Sequence, residues 1–291
     1  MGPLDLVNLT SLMQRTGGSA QVTIALIDGP VDTSHPDLAD SSIHEIPGGL
    51  RGSCARASST ACMHGTFVAG ILSAKRGSSA PAIRPGCTLL VRPIFSEAIN
   101  GNGDMPSATP AELASAIVDT VKAGARVINL SAALLQPSVL RARELGQALD
   151  FAAARGVITV AAAGNQGMIG SSIITRHPWV IPVAGCNLSG RPIRESNFGN
   201  SIGRRGLSAP AEGISSLGTD GVLRSFAGTS AAAPFVTGTI ALLLSEFPSA
   251  SCAAVKLALL QANGASRNRV VPPLLDAAAA YWKMASAHGG G

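Results

Sequence analysis

Aromatic residues are scarce in this chain: seven Phe, two Trp and one Tyr make up 3% of 291 positions. A core must therefore come from Ala, Val, Ile and Leu, and at 46% hydrophobic residues there is enough for a sizeable one. No basic run is interleaved with aromatics, so a nucleic acid partner is not expected. The formal net charge is +5, but the basic residues are scattered. Their densest patch, Arg191, Arg194, Arg204 and Arg205, reads as a solvated loop region rather than a seat for an acidic partner.

Cysteine is also sparse. Cys54, Cys62, Cys87, Cys186 and Cys252 are odd in number, which leaves at least one thiol unpaired. No C-x-x-C occurs, which removes the usual zinc spacings. Cys54 and Cys62 bracket a short Ser- and Ala-rich loop, where a local disulfide and two reduced thiols are equally open readings. The opening Met-Gly-Pro-Leu-Asp has no basic stretch followed by an apolar one, so no secretory signal is read and a cytoplasmic location is expected. Two stretches lack charge, 156–175 and 225–245, but both are broken by Gly, Ser and Thr, and the second by Pro234. They suit the core of an α/β enzyme, and no membrane partner is expected.

What is present is glycine (33 residues) and an alternation of short β-branched runs with longer amphipathic ones. That alternation indicates βαβ units and a parallel sheet. Strands are expected at 21–28 (QVTIALID), 87–93, 126–131 (RVINLS), 157–163 (VITVAAA) and 179–184. Helices are expected at 64–74, 110–123 (with Pro in its first turn), 139–155, 230–245, 250–262 and 274–287. No repeat or composition break appears, so one domain over 1–291 is expected. Within it, 1–20 forms an N-terminal helical extension, with an amphipathic helix over 4–15, and 288–291 a disordered tail.

Four segments carry the candidate chemistry: ALIDGPVDTSHPDL, MHGTFVAGI, VAAAGNQG and FAGTSAAAPFVTG. Singly, each has a plain structural reading. An Asp at a strand end is often a cap, His-Gly and Gly164-Asn165 are turn dipeptides, and Gly-Thr-Ser before an apolar run is a helix start. Together they place Asp28, His64, Asn165 and Ser230 at element ends, in an order that acyl transfer can use.

In order and motif these segments resemble the subtilisin-like serine peptidases over about 21–245, HGTFVAG and GTSAAAP being the specific matches. IDGPVD with His-Pro soon after, and GCTLLVRPIF, resemble more narrowly the proteases that mature ribosomal peptide natural products, the cyanobactin proteases among them. The resemblance implies an α/β three-layer fold with a mostly parallel central sheet flanked by helices. It implies Ser230 as nucleophile, His64 as general base, Asp28 orienting the imidazole, and Asn165 with the Ser230 N–H as oxyanion donors. Ser131, Ala132, Ala133, Ala162, Ala163, Gly164 and Thr229 are implied to line the substrate pocket, and Asn100, Gly101, Asn102 and Gly103 to form the edge that receives an extended substrate.

Ser131-Ala132-Ala133-Leu134 departs from the Gly-Gly common in that family, which should narrow the pocket. The family's calcium ligands do not carry over, so neither metal nor cofactor is expected. Between Asp28 and His64 lie 35 residues (29–63) of loop-like sequence, whereas the macrocyclising type carries a helical insertion there. The reading is a serine endopeptidase whose partner is a precursor peptide. The alternatives are a macrocyclase or transpeptidase using the same acyl-enzyme, or a pseudoprotease that binds peptides.

Overall fold

The apolar runs alternate in the side to which each residue points, and both sides are buried. Ile24 and Leu26 enter one hydrophobic cluster while Ala25 and Ile27 enter a second on the opposite face. Val127 against Ile128, and Val160 against Ala161, divide in the same way. Strands buried on both faces are what a parallel sheet between helical layers requires. The structure, a computed structural model, describes residues 2–97, 108–131, 139–262, 264 and 269–288.

Seven strands form this sheet: β1 (Thr23–Asp28), β2 (Ile43–Glu45), β3 (Thr88–Pro93), β4 (Val127–Leu130), β5 (Ile158–Ala162), β6 (Ile181–Cys186) and β7 (Leu207–Pro210). Their order is 2-3-1-4-5-6-7 and every pairing is parallel. An antiparallel hairpin, β8 (Ile214–Leu217) and β9 (Leu223–Phe226), stands apart. The helices are α1 (Pro3–Leu6), α2 (Leu9–Arg15), α3 (Thr60–Ser73), α4 (Pro110–Lys122), α5 (Val139–Ala154), α6 (Ile173–Arg176), α7 (Asn200–Arg205), α8 (Thr229–Glu246), α9 (Cys252–Gln261) and α10 (Ala277–His288). Helices α3 and α8 cover one face together with α2, α9 and α10, and α4 and α5 cover the other. This is the expected three-layer α/β fold.

Several expectations shift. The 4–15 helix is two helices, because Asn8 takes the left-handed conformation (φ 53°) between them, which Asn tolerates better than most residues. Helix α3 begins at Thr60 rather than His64; Ser59 caps it, accepting from Cys62 N at 3.4 Å. The strand expected at 179–184 runs Ile181–Cys186, since Val180 N is turned back onto His177 O (3.2 Å) and pairing with β5 begins at Ile181. No expectation covered β2, β7, β8, β9, α6 or α7. All are short, and β8 and β9 are held by pairing to each other rather than by an apolar run. Among the described residues no helix is long and apolar enough to cross a membrane.

Candidate active site

Strand β1 is flanked by β3 and β4, and the chain leaves it first toward one side and later toward the other. The carboxyl end of such a strand is where open α/β sheets place their working groups. Asp28 is the last residue of β1 and is fully buried. Its Oδ1 accepts from Gly29 N (2.6 Å) and from His64 Nδ1 (2.7 Å). Asp28 Oδ2 is buried without a hydrogen-bond partner among the described residues, so the carboxylate directs its bonding at the imidazole through one oxygen.

His64 reaches Asp28 because two glycines let α3 ride on the turn after β1. A Cβ on Gly29 would lie 2.0 Å from Ala61 O, and one on Gly65 would lie 2.3 Å from Pro30 O. Both obstacles are backbone and cannot give way. Burial alone would lower the His64 pKa, but the charge and hydrogen bond of Asp28 outweigh it and leave the imidazole above its ordinary 6.5. With Nδ1 committed to Asp28, Nε2 is the free ring nitrogen, without a partner among the described residues. The Phe226 ring meets the imidazole edge-on at 5.9 Å and Phe67 at 4.9 Å, bracing the side of the ring.

Ser230 is the second residue of α8 and is half-buried. Pro234 lies four residues later inside the same helix. It has no N–H to offer the Ser230 carbonyl, which instead accepts from Ser131 Oγ at 3.3 Å. Ser131 Oγ accepts from Asn129 Nδ2 (2.7 Å), and Asn129 Oδ1 accepts from Thr237 Oγ1 (2.7 Å). A buried relay thus ties the start of α8 to the end of β4. No hydrogen bond joins Ser230 Oγ to His64 Nε2, a bond that commonly tightens only with substrate bound.

Asn165 follows β5 and is exposed. Its Oδ1 accepts from Thr229 N (2.8 Å) and Thr229 Oγ1 (3.0 Å). That pins the amide and leaves Nδ2 as the available donor. Gly228 makes room for it: a Cβ there would lie 2.8 Å from Asn165 Nδ2, and the φ of 125° disfavours any side chain. Thr229 Oγ1 also accepts from Gly164 N (3.1 Å). Thr229, expected to line the substrate pocket, is fully buried and engaged in these bonds.

Ala162 ends β5 and Ala163 and Gly164 follow it on the way to Asn165, while Ser131 follows Leu130, the last residue of β4 and the partner of Ile27. Asn100, Gly101, Asn102, Gly103, Ala132 and Ala133 lie outside the described residues. Cys54 and Cys62 are joined as a disulfide (Cα–Cα 5.6 Å), the first of the two readings left open by sequence. Sequence reasoning missed Asn129, Thr237 and Phe226. The last stands within a motif already singled out, FAGTSAAAPFVTG, while a buried Asn within the apolar run RVINLS was the available signal for the first.

A carboxylate, an imidazole, a hydroxyl at a helix start and an anchored amide can together carry acyl transfer. Fold and site define a class, that of the subtilisin-like serine proteases. The chain belongs to the subtilase family, whose model matches residues 19–277. It is 29% identical over 277 residues to fervidolysin of Fervidobacterium pennivorans, covering 85% of this chain and 38% of that protein. The chain also spans only 59% of the next curated relatives, which are subtilisins. A serine-to-alanine mutant of the protease domain of PatA, a patellamide maturation protease, superposes with a TM-score of 0.83 at 30% identity, covering 93% of this chain and 97% of that one. The PatG macrocyclase in complex with peptide superposes at 0.81, covering 95% of each chain; at 20% identity that likeness concerns the fold.

Proposed function

We propose that this chain is a serine endopeptidase that hydrolyses a precursor peptide at a defined site, with Asp28, His64 and Ser230 as its triad and Asn165 as an oxyanion donor. The observation that carries the reading is the 2.7 Å bond from His64 Nδ1 to Asp28 Oδ1, which sets the tautomer and leaves Nε2 to take a proton. Ser230 Oγ attacks the scissile carbonyl carbon and passes its proton to Nε2. The carbonyl oxygen becomes an oxyanion held by Asn165 Nδ2 and Ser230 N–H. The imidazolium then protonates the departing amine, and the C–N bond breaks. Water, deprotonated by the same Nε2, attacks the acyl carbon and frees Ser230.

Hydrolysis rather than cyclisation is supported by the stretch between Asp28 and α3. Its residues, all described, hold strand β2 and no helix that could shield an acyl-enzyme from water. A precursor peptide as substrate is supported by the likeness to the PatA protease domain.

The test is to incubate the protein, and Ser230→Ala, with the peptide encoded nearest to it, and to read intact masses. Linear fragments whose masses sum to the peptide plus one water, absent with Ser230→Ala, support the proposal. A product lighter than its linear fragment by one water shows a cyclase instead. No turnover together with no fluorophosphonate labelling of Ser230 in folded protein returns the chain to peptide binding alone.

A further inference from the structure

At the start of α3, outside the catalytic residues themselves, Cys54, Cys62 and Glu97 bring together two sulfurs and a carboxylate oxygen, all within 4.8 Å of one another. The three come from separate places: the loop between β2 and α3, the first turn of α3, and the segment after β3. The group is prepared rather than incidental. Glu97 Oε1 accepts from Ala55 N (3.0 Å) and Arg56 N (2.8 Å), and Oε2 from Ala55 N (3.0 Å), which aims the carboxylate at the cysteine loop and leaves a lone pair on Oε2. Cys62 is buried, while Cys54 and Glu97 are half-buried, so solvent can reach the group from one side.

The Cα atoms of Cys54 and Cys62 are 5.6 Å apart. That separation closes a disulfide, and it equally serves two thiolates on one tetrahedral ion. At a metal–sulfur distance of about 2.3 Å such sulfurs lie about 3.8 Å apart, a change that side-chain rotation can supply. Two thiols beside a carboxylate hold their protons in a half-buried spot until a cation takes the protons' place and neutralises the thiolates.

We propose that, once the Cys54–Cys62 disulfide is reduced, Cys54 Sγ, Cys62 Sγ and a Glu97 oxygen bind a thiophilic divalent cation of the zinc class, with water in the fourth position. This metal site is independent of the protease reading and differs from the expectation of no metal drawn from sequence. A dithiol reductant supplies two electrons and two protons to the disulfide and becomes a disulfide itself; the cation then displaces the two thiol protons. The loop and α3 are thereby cross-linked two residues before His64 by sulfur–sulfur bonding in oxidising surroundings and by the cation in reducing ones.

Cobalt(II) is the probe. The whole protein is reduced with a phosphine, freed of reductant under argon and titrated with Co²⁺. The expected result is a thiolate-to-cobalt charge-transfer band, with ligand-field bands of tetrahedral intensity, saturating at one equivalent and displaced by Zn²⁺. The oxidised protein gives no band. Cys54→Ser should abolish the band, and Glu97→Gln should weaken Co²⁺ binding by about tenfold or more, as loss of a ligand requires. Glu97→Gln removes only a charge from a half-buried side chain and carries the test if Cys54→Ser does not fold. Three results would each overturn the proposal: no band in folded, reduced protein; a band that persists in Cys54→Ser, moving it to Cys87, Cys186 or Cys252; or an affinity indifferent to Glu97→Gln.

Discussion

His64 is buried and would, on that account, titrate below its ordinary value, yet the Asp28 carboxylate turns the shift upward. As the proposed general base, His64 must be neutral, so the acid limb of kcat/KM should fall above pH 6.5. The imidazolium–carboxylate pair likewise adds stability that is fully present below pH about 6.5 and lost as pH rises through the raised pKa. Asp28→Asn keeps the burial and removes the charge, so the limb should move to lower pH while kcat falls about 10⁴-fold. A limb at or below 6.5 in the unmodified protein, or one unmoved by Asp28→Asn, would contradict this account. Asn165→Ala should lower kcat by roughly 10²–10³ with little change in KM, because in the proposed mechanism its Nδ2 serves the oxyanion and not the bound substrate. Steady-state kinetics on one peptide separates the two.

Arg84 is a different matter at the same scale. It is fully buried, and none of its three guanidinium nitrogens has an oxygen or nitrogen acceptor among the described residues. Burial pushes its pKa down to about 10, partly opposed by Cys87. A buried cation supported by no oxygen acceptor and only by the Cys87 sulfur costs more than it contributes, and an apolar chain of similar length should serve better. Arg84→Met is expected to raise Tm by several degrees in a thermal melt. A lower Tm would mean that the guanidinium is satisfied by internal water.

Among elements, the join between β1 and α3 governs catalysis. Gly65→Ala would drive a methyl group into Pro30 O and Gly29 O, so α3 must lift and carry His64 off Asp28. A displacement of about 1 Å can cost on the order of 10²-fold in rate, and kcat/KM should fall at least that far while the variant still gives a cooperative melt. Unchanged kcat/KM would show that the helix accommodates the methyl group without moving His64. Legibility in the sequence followed this element scale closely. Asp28 and Asn165 could be singled out because each stands at or just past a strand end beside Gly, His64 because Gly65 follows it, and Ser230 because it opens α8 after Gly228-Thr229. The runs themselves marked β1, β3, β4, β5 and α8 to within a few residues. What stayed hidden is held by pairing or by polar contacts that leave no period. Strand β2 is three residues laid against β3, the break at Asn8 is one backbone rotation, and the start of α3 rests on a single serine oxygen. The relay from Thr237 through Asn129 and Ser131 joins positions more than a hundred residues apart, which no local pattern reports.

Across the whole molecule, the two ends of the described chain close one face of the core. Val7, Leu9, Leu12 and Met13 are buried in the cluster that also holds Ala277, Ala280 and Met284 of α10. Val7 O accepts from Ala277 N (3.0 Å), and the Arg15 guanidinium lies 4.4 Å from the Tyr281 ring centre. Removing residues 1–15 would delete four buried apolar side chains and bare the core surface they cover, each burial being worth about 1.5–3 kcal/mol. For a chain of this size Tm should therefore drop by about 10 °C or more. The catalytic consequence should be small, for a reason of length. Helix α8 has 18 residues and spans about 27 Å at 1.5 Å per residue. Ser230 stands at one end, and the N-terminal region is tied to the other, where Ser19 N donates to Ser245 Oγ (3.0 Å). At a temperature where the truncated protein remains folded, kcat/KM should stay within about twofold of the full chain, because the contacts that set the site, unlike those that set stability, lie at the far end of that helix. A loss of kcat/KM well beyond twofold, with Tm held above the assay temperature, would mean that α8 transmits the damage along its length and that core and site are not separable.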